Sequence, residues 1–419
     1  MRAALRPLPA GGVFIGFQGA WHLLWALTFT LSMVYQVDVA KLSPLELVLV
    51  GTALEVTCFA GEIPTGIVAD LRSRKLSVLI GLFLIGVGVV IYGAVPSFWP
   101  IMLAQVVWGL GYTFVSGAAE AWVTDEVGGA NVQPIFTRGL QVGLALDMAG
   151  IVLAGLVASG LSSLQAPMVI GGVGFMLLAG VLLVVMQERN FVPVPAAERD
   201  TWSGMVHIAR TAARAARRPG LVRSLLVIGV LTGLTSEVFD RLWVNRVVNE
   251  FGLPDWFGAN NLAIWFTLFA LVAALISLVA SLTVNRLLPR VINAEHPNRV
   301  LAVLSACEVL GVAVFAVAPG IGPAMAGVWL REAAGVVGYP IRTAWLNRNV
   351  RSESRATIAS MMGQADALGQ VVGGPVLGGV AGAVGVPAAL LVAGAVQLPT
   401  AWIYLRLRPE PGPKGHADG

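Results

Sequence analysis

Twelve apolar stretches of about 20 residues each divide almost the whole of this 419-residue chain. An α-helix needs roughly 20 residues to cross about 30 Å of hydrocarbon, and only helices and closed strand barrels can span a bilayer with every backbone group bonded. The stretches run approximately 13–37, 44–69, 76–95, 98–123, 138–160, 166–186, 224–247, 261–284, 300–318, 321–345, 358–382 and 386–405. They are long and unbroken, whereas barrel strands read as segments of about ten alternating residues. The expectation is an all-α, multi-pass membrane protein in a cell (inner or plasma) membrane. Composition agrees: 57% of residues are apolar and 12% charged, against about 25% charged in soluble proteins.

Lysine and arginine set the expected orientation, because they collect in short cytoplasmic loops. Arg72, Arg74, Lys75, Arg138, Arg286, Arg290, Arg299, Arg348, Arg351 and Arg355 fall on one side with both termini, and the opposite loops hold only Lys41. Both termini are therefore expected in the cytoplasm. The net charge of +4 is a topology signal and implies no nucleic-acid partner. Cys58 and Cys307 lie inside apolar runs and read as small buried hydrophobes, so neither a metal nor a disulfide is expected. No phosphate-binding glycine loop or nucleophile–base set appears, which argues against an enzyme or an ATP-driven pump.

Residues 187–223 interrupt the pattern. They are polar and basic, with an amphipathic helix expected over 207–218, and they separate a six-span bundle at 1–186 from a second at 224–419 with a short tail. The halves read as copies. Ala121-Trp122 recurs as Ala344-Trp345, Gln141 as Gln364, Gly150 as Gly373 and Gly155 as Gly378, each 223 residues on (345 − 122 = 223).

Ionisable groups inside spans cost several kcal/mol unless they face water or a partner, so they mark candidate sites. Glu55 and Glu62 are seven apart on the second span and share a face. Glu62 stands roughly 12 Å inside its basic end, and Asp147 in the fifth span roughly 14 Å inside its own. Gln18, His22 and Trp25 share a face of the first span as a cavity wall, with His22 either a structural hydrogen-bonding residue or a ligand or proton group. In the seventh span Glu237 and Arg241, four apart, can pair. Asp240 then needs a partner, and the tenth span brings Arg331 and Glu332 to comparable depth, which makes a bridge from Asp240 or Glu237 to Arg331 the expectation.

Between the second and third spans the chain reads Gly66-Ile67-Val68-Ala69-Asp70-Leu71-Arg72-Ser73-Arg74-Lys75. This resembles the G-x-x-x-D-R-x-G-R-K signature of the major facilitator superfamily at Gly66, Asp70, Arg74 and Lys75, with Leu71 and Ser73 departing from it. The resemblance covers the whole chain. It implies two pseudo-symmetric six-helix bundles, alternating access, a cavity lined mainly by spans 1, 4, 7 and 10, and a conformational latch. In that latch Asp70 would face the start of span 11 and Arg74 would pair with Asp125 or Glu126. Gly369-Gln370-Val371-Val372-Gly373-Gly374-Pro375-Val376-Leu377-Gly378-Gly379 is similar to a pattern of drug:proton antiporters, normally on the fifth span and here on the eleventh; a helix-packing groove is the other reading. Glu62-Ile63-Pro64-Thr65-Gly66, Glu237-x-x-Asp240-Arg241-Leu242 and Arg355-Ala356-Thr357 resemble bacterial drug or tetracycline-type efflux proteins. The implied function is proton-coupled export of a small amphipathic compound by a monomer in the lipid bilayer, with no cofactor beyond the proton gradient. The alternative is nutrient import by symport or uniport.

Overall fold

The computed structural model describes residues 8–193, 220–293, 297–349 and 355–407, together with Arg210 and Arg214. The rest of the expected linker helix lies outside the described residues. The described residues contain helices and no strand. The first half carries α1 (Ala10–Phe29), α2 (Ser32–Asp38), α3 (Pro44–Leu71), α4 (Arg74–Ala94), α5 (Phe98–Val115), α6 (Ala118–Val127), α7 (Gln133–Gly160) and α8 (Ala166–Val185). The second half carries α9 (Leu221–Asn249), α10 (Asn261–Asn293), α11 (Pro297–Val317), α12 (Ile321–Asn349), α13 (Arg355–Val384) and α14 (Val386–Arg406). Two pairs are single spans with a break: α1–α2 at Thr30–Leu31, and α5–α6 at Gly117, whose φ of 74° is open to glycine at no steric cost.

Eleven of the twelve resulting rods are long and apolar enough to cross a membrane. The twelfth, α12, is 29 residues long and carries Arg331, Glu332 and Arg342, which pull its mean hydropathy down. The charges are there because this helix lines a cavity.

Among the described residues the chain divides into two compact units, one drawn from Met1–Glu46, Val50–Trp202 and Leu253–Leu271 and the other from Leu47–Leu49, Ser203–Gly252 and Val272–Gly419. In the first unit α1 packs on α7, and α4 lies against both α5 and α8; in the second α9 packs on α13, and α11 lies against both α12 and α14. Lipid tails are as apolar as leucine, so such contacts form where small residues let backbones approach. A Cβ on Gly81 would sit 2.6 Å from the Gly111 carbonyl oxygen, and one on Gly311 would sit 2.6 Å from that of Gly327.

The same contacts recur in both units. Gly150 of α7 meets the Leu23 carbonyl of α1, and Gly373 of α13 meets the Leu234 carbonyl of α9. These pairs differ by 373 − 150 = 223 and 234 − 23 = 211. The Tyr35 hydroxyl donates to the Tyr92 carbonyl at 2.8 Å, and the Arg246 guanidinium donates to the Phe315 carbonyl; here 246 − 35 = 211 and 315 − 92 = 223. Gly88 lies under Trp108 and Gly311 under Arg331, again 223 apart on both sides. The register is 211 for the first span and 223 for the third to fifth.

At the basic end of the first unit the signature loop is tied down by carboxylates. Arg74 Nη1 lies 2.5 Å from Asp125 Oδ2. Glu188 caps α4: its Oε1 accepts from the backbone N–H of Arg74 (2.7 Å) and Lys75 (3.1 Å), and its Oε2 accepts from the Ser73 hydroxyl (2.5 Å). Those are orphan donors at the positive end of a helix dipole, where an anion is favoured. Glu126 accepts from the N–H of Arg189 and Asn190, and Lys75 Nζ donates to the Leu183 carbonyl at the end of α8. Asp70 sits half-buried in the last turn of α3.

Four substitutions test this frame. Gly311→Val, which drives side-chain atoms into α12, is expected to lower the melting temperature of the solubilised protein by an overpacking cost of about 1–3 kcal/mol. Gly363→Ala, also within a helix but with nothing within 4 Å of the added Cβ, is expected to hold or slightly raise it, since alanine is the better helix former. Glu188→Ala is expected to cost about 1–2 kcal/mol through the lost cap, and Ser73→Ala less, read in the same melting experiment.

Candidate functional site

The polar run in α9 is arranged by helical spacing. Glu237 and Arg241 pair at 2.8 Å across one turn, and the Glu237 side chain is only 6% exposed. Asp240 projects differently: its side chain is 54% exposed and meets Arg331 Nη1 of α12 at 2.9 Å. Arg331 is also held from below, its guanidinium 4.3 Å over the Phe239 ring, a cation–π contact. The residue that bridges to Arg331 is thus Asp240, and Glu237 keeps its own arginine.

These groups open onto a cavity of about 580 Å³ within the second unit, lined by residues of α9, α11, α12 and α14. Besides Asp240 and Arg331 the wall carries Glu308, Glu332 and Arg342. Glu308 is fixed by Gln397 of α14, whose Nε2 donates to Glu308 Oε2 at 3.0 Å, while Thr235 Oγ1 lies 3.3 Å from Gln397 Oε1. Thr400 donates to the Gln397 carbonyl at 2.7 Å and bonds Ser305. Glu308, Arg342 and Gln397 were not singled out from the sequence. A carboxylate in the middle of the ninth apolar run, and an arginine in the tenth, are the signals that would have found them.

The internal register shows why the cavity exists. The equivalent positions in the first unit carry Trp21, Trp25 and Phe29 of α1, with Trp108 and Tyr112 of α5. By offsets of 211 and 223 these become Thr232, Ser236 and Asp240 of α9, with Arg331 and Gly335 of α12, and all five line the cavity. In the first unit the space is filled by rings: Trp21 stacks on Trp25 at 5.5 Å, and Trp25 meets Trp108 at 5.7 Å and Tyr112 at 6.0 Å. The Phe29–Trp108 contact, 5.1 Å between centroids, becomes the Asp240–Arg331 bridge.

The remaining candidates of the first unit separate into different surroundings. His22 Nδ1 lies 3.7 Å from Asp147 Oδ1, with both side chains about a third exposed (29% and 35%). Gly143 makes room for the imidazole, since a Cβ there would meet the ring at 2.5 Å. Gln18 rests on Gly139 one turn away, so Gln18 and His22 face α7, whereas Trp25 joins the rings against α5. Glu62 is exposed on α3, and Glu55 is half-buried seven residues earlier. The corresponding crossing in the second unit swaps large and small: Gly233 stands for His22 (233 − 22 = 211) and Asp366 for Gly143 (366 − 143 = 223), and the Gly233 backbone lies on the Asp366 carbonyl. Asp366 accepts from Gln370 Nε2 at 2.8 Å.

The glycine-rich run of α13 is used for packing. Gly369 and Gly373 lie against the Val230 and Leu234 carbonyls of α9, close enough that neither could carry a Cβ without displacing backbone. Among the described residues no group of three metal-ligating side chains converges.

No family model matches the chain. An uncharacterized MFS-type transporter, YxaM, of Bacillus subtilis (strain 168) is 20% identical over 366 residues, covering 86% of each chain. Among solved structures, the nucleoside transporter NupG superposes with a TM-score of 0.71 at 14% identity over 95% of this chain and 98% of that one. The peptide transporter POT in complex with sulfate gives 0.70 at 13% identity over 97% and 95%. A bacterial homolog of the human lysosomal transporter Spinster gives 0.66 at 18% identity over 97% and 100%. The chain has the fold of the major facilitator transporters, built from helices of which eleven are long and apolar enough to cross a membrane.

Proposed function

We propose that the chain is a proton-coupled secondary transporter that exports a small amphipathic organic compound by alternating access, and that Asp240, Arg331, Glu308 and Glu332 carry the coupling. The observation behind this reading is the charged cavity within the second unit. Three carboxylates and two arginines line one space in a segment of membrane-spanning helices. Buried charge is expensive and persists where it is paired or used. Arg331 stands between two states: bonded to Asp240 as here, or released when Asp240 takes up a proton, which would free the arginine toward Glu308 or Glu332. Glu308 is the second candidate proton carrier, facing Arg331, Arg342, Gln397 and Tyr404. His22–Asp147 in the first unit is a further protonatable pair, and Asp70, Arg74, Lys75, Asp125 and Glu126 are the proposed switching elements.

The direction of transport rests on the resemblance to efflux proteins at Glu62–Gly66 and Glu237–Leu242. Import by symport or uniport is the second reading, and two observations favour it. The glycine pattern shared with antiporters packs α13 on α9 here, and the cavity wall is polar, in keeping with the nucleoside and peptide transporters that share the fold.

A sensitivity and accumulation panel in a strain stripped of its own pumps separates the readings. Export predicts lower accumulation of a subset of compounds in cells carrying the protein, import predicts higher. Equal accumulation of every compound sinks both. Arg331→Ala, which leaves Asp240 without its cation, and Glu308→Gln are each expected to slow gradient-driven transport at least about tenfold, or about 1.4 kcal/mol on the barrier. Asp240→Asn is expected to retain solute exchange without a gradient while losing the response to an imposed pH difference in proteoliposomes.

A further inference from the structure

Most of the charges in and around the cavity already have partners. Glu237 is held by Arg241, and Asp240 and Arg331 neutralise one another, with the Arg331 guanidinium further committed to the Phe239 ring. Three groups are left on the wall. Arg342 lies 5.8 Å from the Tyr339 ring centroid and is the hydrogen-bond neighbour of the Tyr404 hydroxyl, with no carboxylate of a described residue within ion-pair distance. Glu308 is hydrogen-bonded by the neutral Gln397 amide and feels Arg331 and Arg342 only across the cavity, beyond ion-pair distance, and its Oε1 looks onto Gly335, which has no side chain to cover it. Glu332 follows Arg331 on α12 and lines the same space.

We infer that this cavity binds a zwitterionic solute, its anionic end on Arg342 and its cationic end at Glu308 and Glu332. A neutral solute would displace water from Arg342, Glu308 and Glu332 without giving any of them a direct ionic partner. A simple anion would leave the two carboxylates uncovered, and a simple cation would leave Arg342 so. A solute with both charges covers all three, and Thr232, Ser236 and Ser305 supply neutral hydrogen-bonding groups between them. The volume, about 580 Å³, lies in the roughly 300–1,000 Å³ range of small-molecule sites. The inference deepens the transporter reading, on which its physiological meaning rests.

The test measures binding without a gradient, using thermal stabilisation of the purified full-length protein in nanodiscs. The probes are amino acids and dipeptides, their C-terminal amides (cations), their N-acetyl derivatives (anions) and nucleosides (neutral). Zwitterionic members are expected to stabilise the protein, with amides and acetyl derivatives at least about tenfold weaker, a difference of about 1.4 kcal/mol. Arg342→Gln is expected to abolish the preference for the parent over its amide, and Arg342→Lys to restore part of it. Glu308→Gln is expected to shift preference toward the acetyl derivatives, and it decides the matter if Arg342→Gln does not fold. Equal or better stabilisation by amides, acetyl derivatives or nucleosides, no stabilisation by any zwitterion, or unchanged selectivity in both variants would overturn the inference. Charge-selective binding with no gradient-driven movement in proteoliposomes counts against proton-coupled transport alone, and transport of solutes without charge selectivity counts against the zwitterion site alone.

Discussion

Helices surrounded by hydrocarbon gain almost nothing from burying leucine on leucine, so their neighbours are chosen by how closely backbones can come. Here that choice is made by glycine against carbonyl: Gly88 beneath Trp108, Gly311 beneath Arg331, Gly150 on Leu23 and Gly373 on Leu234. Each contact fixes both the spacing and the rotation of a helix pair. Because the same contacts occur at the same register in both units, equivalent positions on α1 and α9, or on α5 and α12, end up pointing the same way. Every difference between the two sites is then a difference of side chains on a shared frame.

That frame makes the cavity a consequence of substitution. Protein interiors are close-packed, and side-chain volume removed without collapse of the backbone remains as space. Where the first unit has three tryptophans, a phenylalanine and a tyrosine, the second has threonine, serine, aspartate, arginine and glycine. Glycine contacts at Gly311, Gly369 and Gly373 hold α11, α12, α9 and α13 at their spacing, so the helices do not close over the loss. One bundle is a rigid aromatic block, and its copy is a polar vessel of the same backbone.

The number and length of the spans were legible because membrane thickness imposes a length on every apolar run, and the 223-residue offset was legible because Trp122 and Trp345 survive in both halves. Asp240 and Arg331 could be paired by depth along their helices, since rise per residue is fixed. Rotation between helices was not available in the same way. Gln18, His22 and Trp25 share a face by spacing, yet α1 packs on α7 and α8 and reaches α5 through its rings, so Gln18 and His22 go to α7 and Trp25 to α5. Glu188 lay beyond the sixth span, and nothing local marks it as the cap of a helix that begins more than a hundred residues earlier. Glu308 stands in a run whose other polar side chain is Ser305, and an isolated carboxylate in such a run is itself the signal.

The low hydropathy of α12 and the long reach of Arg331 have one explanation. An arginine in this position replaces Trp108 of the other unit, and both side chains must cover the same glycine of the neighbouring helix. The tryptophan satisfies itself with rings. The arginine needs a carboxylate, and the position across from it, held by Phe29 in the first unit, supplies Asp240 in the second. Once that pair exists it is exposed on the aspartate side and shielded on the arginine side, with Phe239 beneath the guanidinium. In the proposed proton-coupled cycle, neutralising Asp240 would leave Arg331 in a wall whose remaining anions are Glu308 and Glu332, so a single side chain would link the protonation event to the charge pattern offered to a solute.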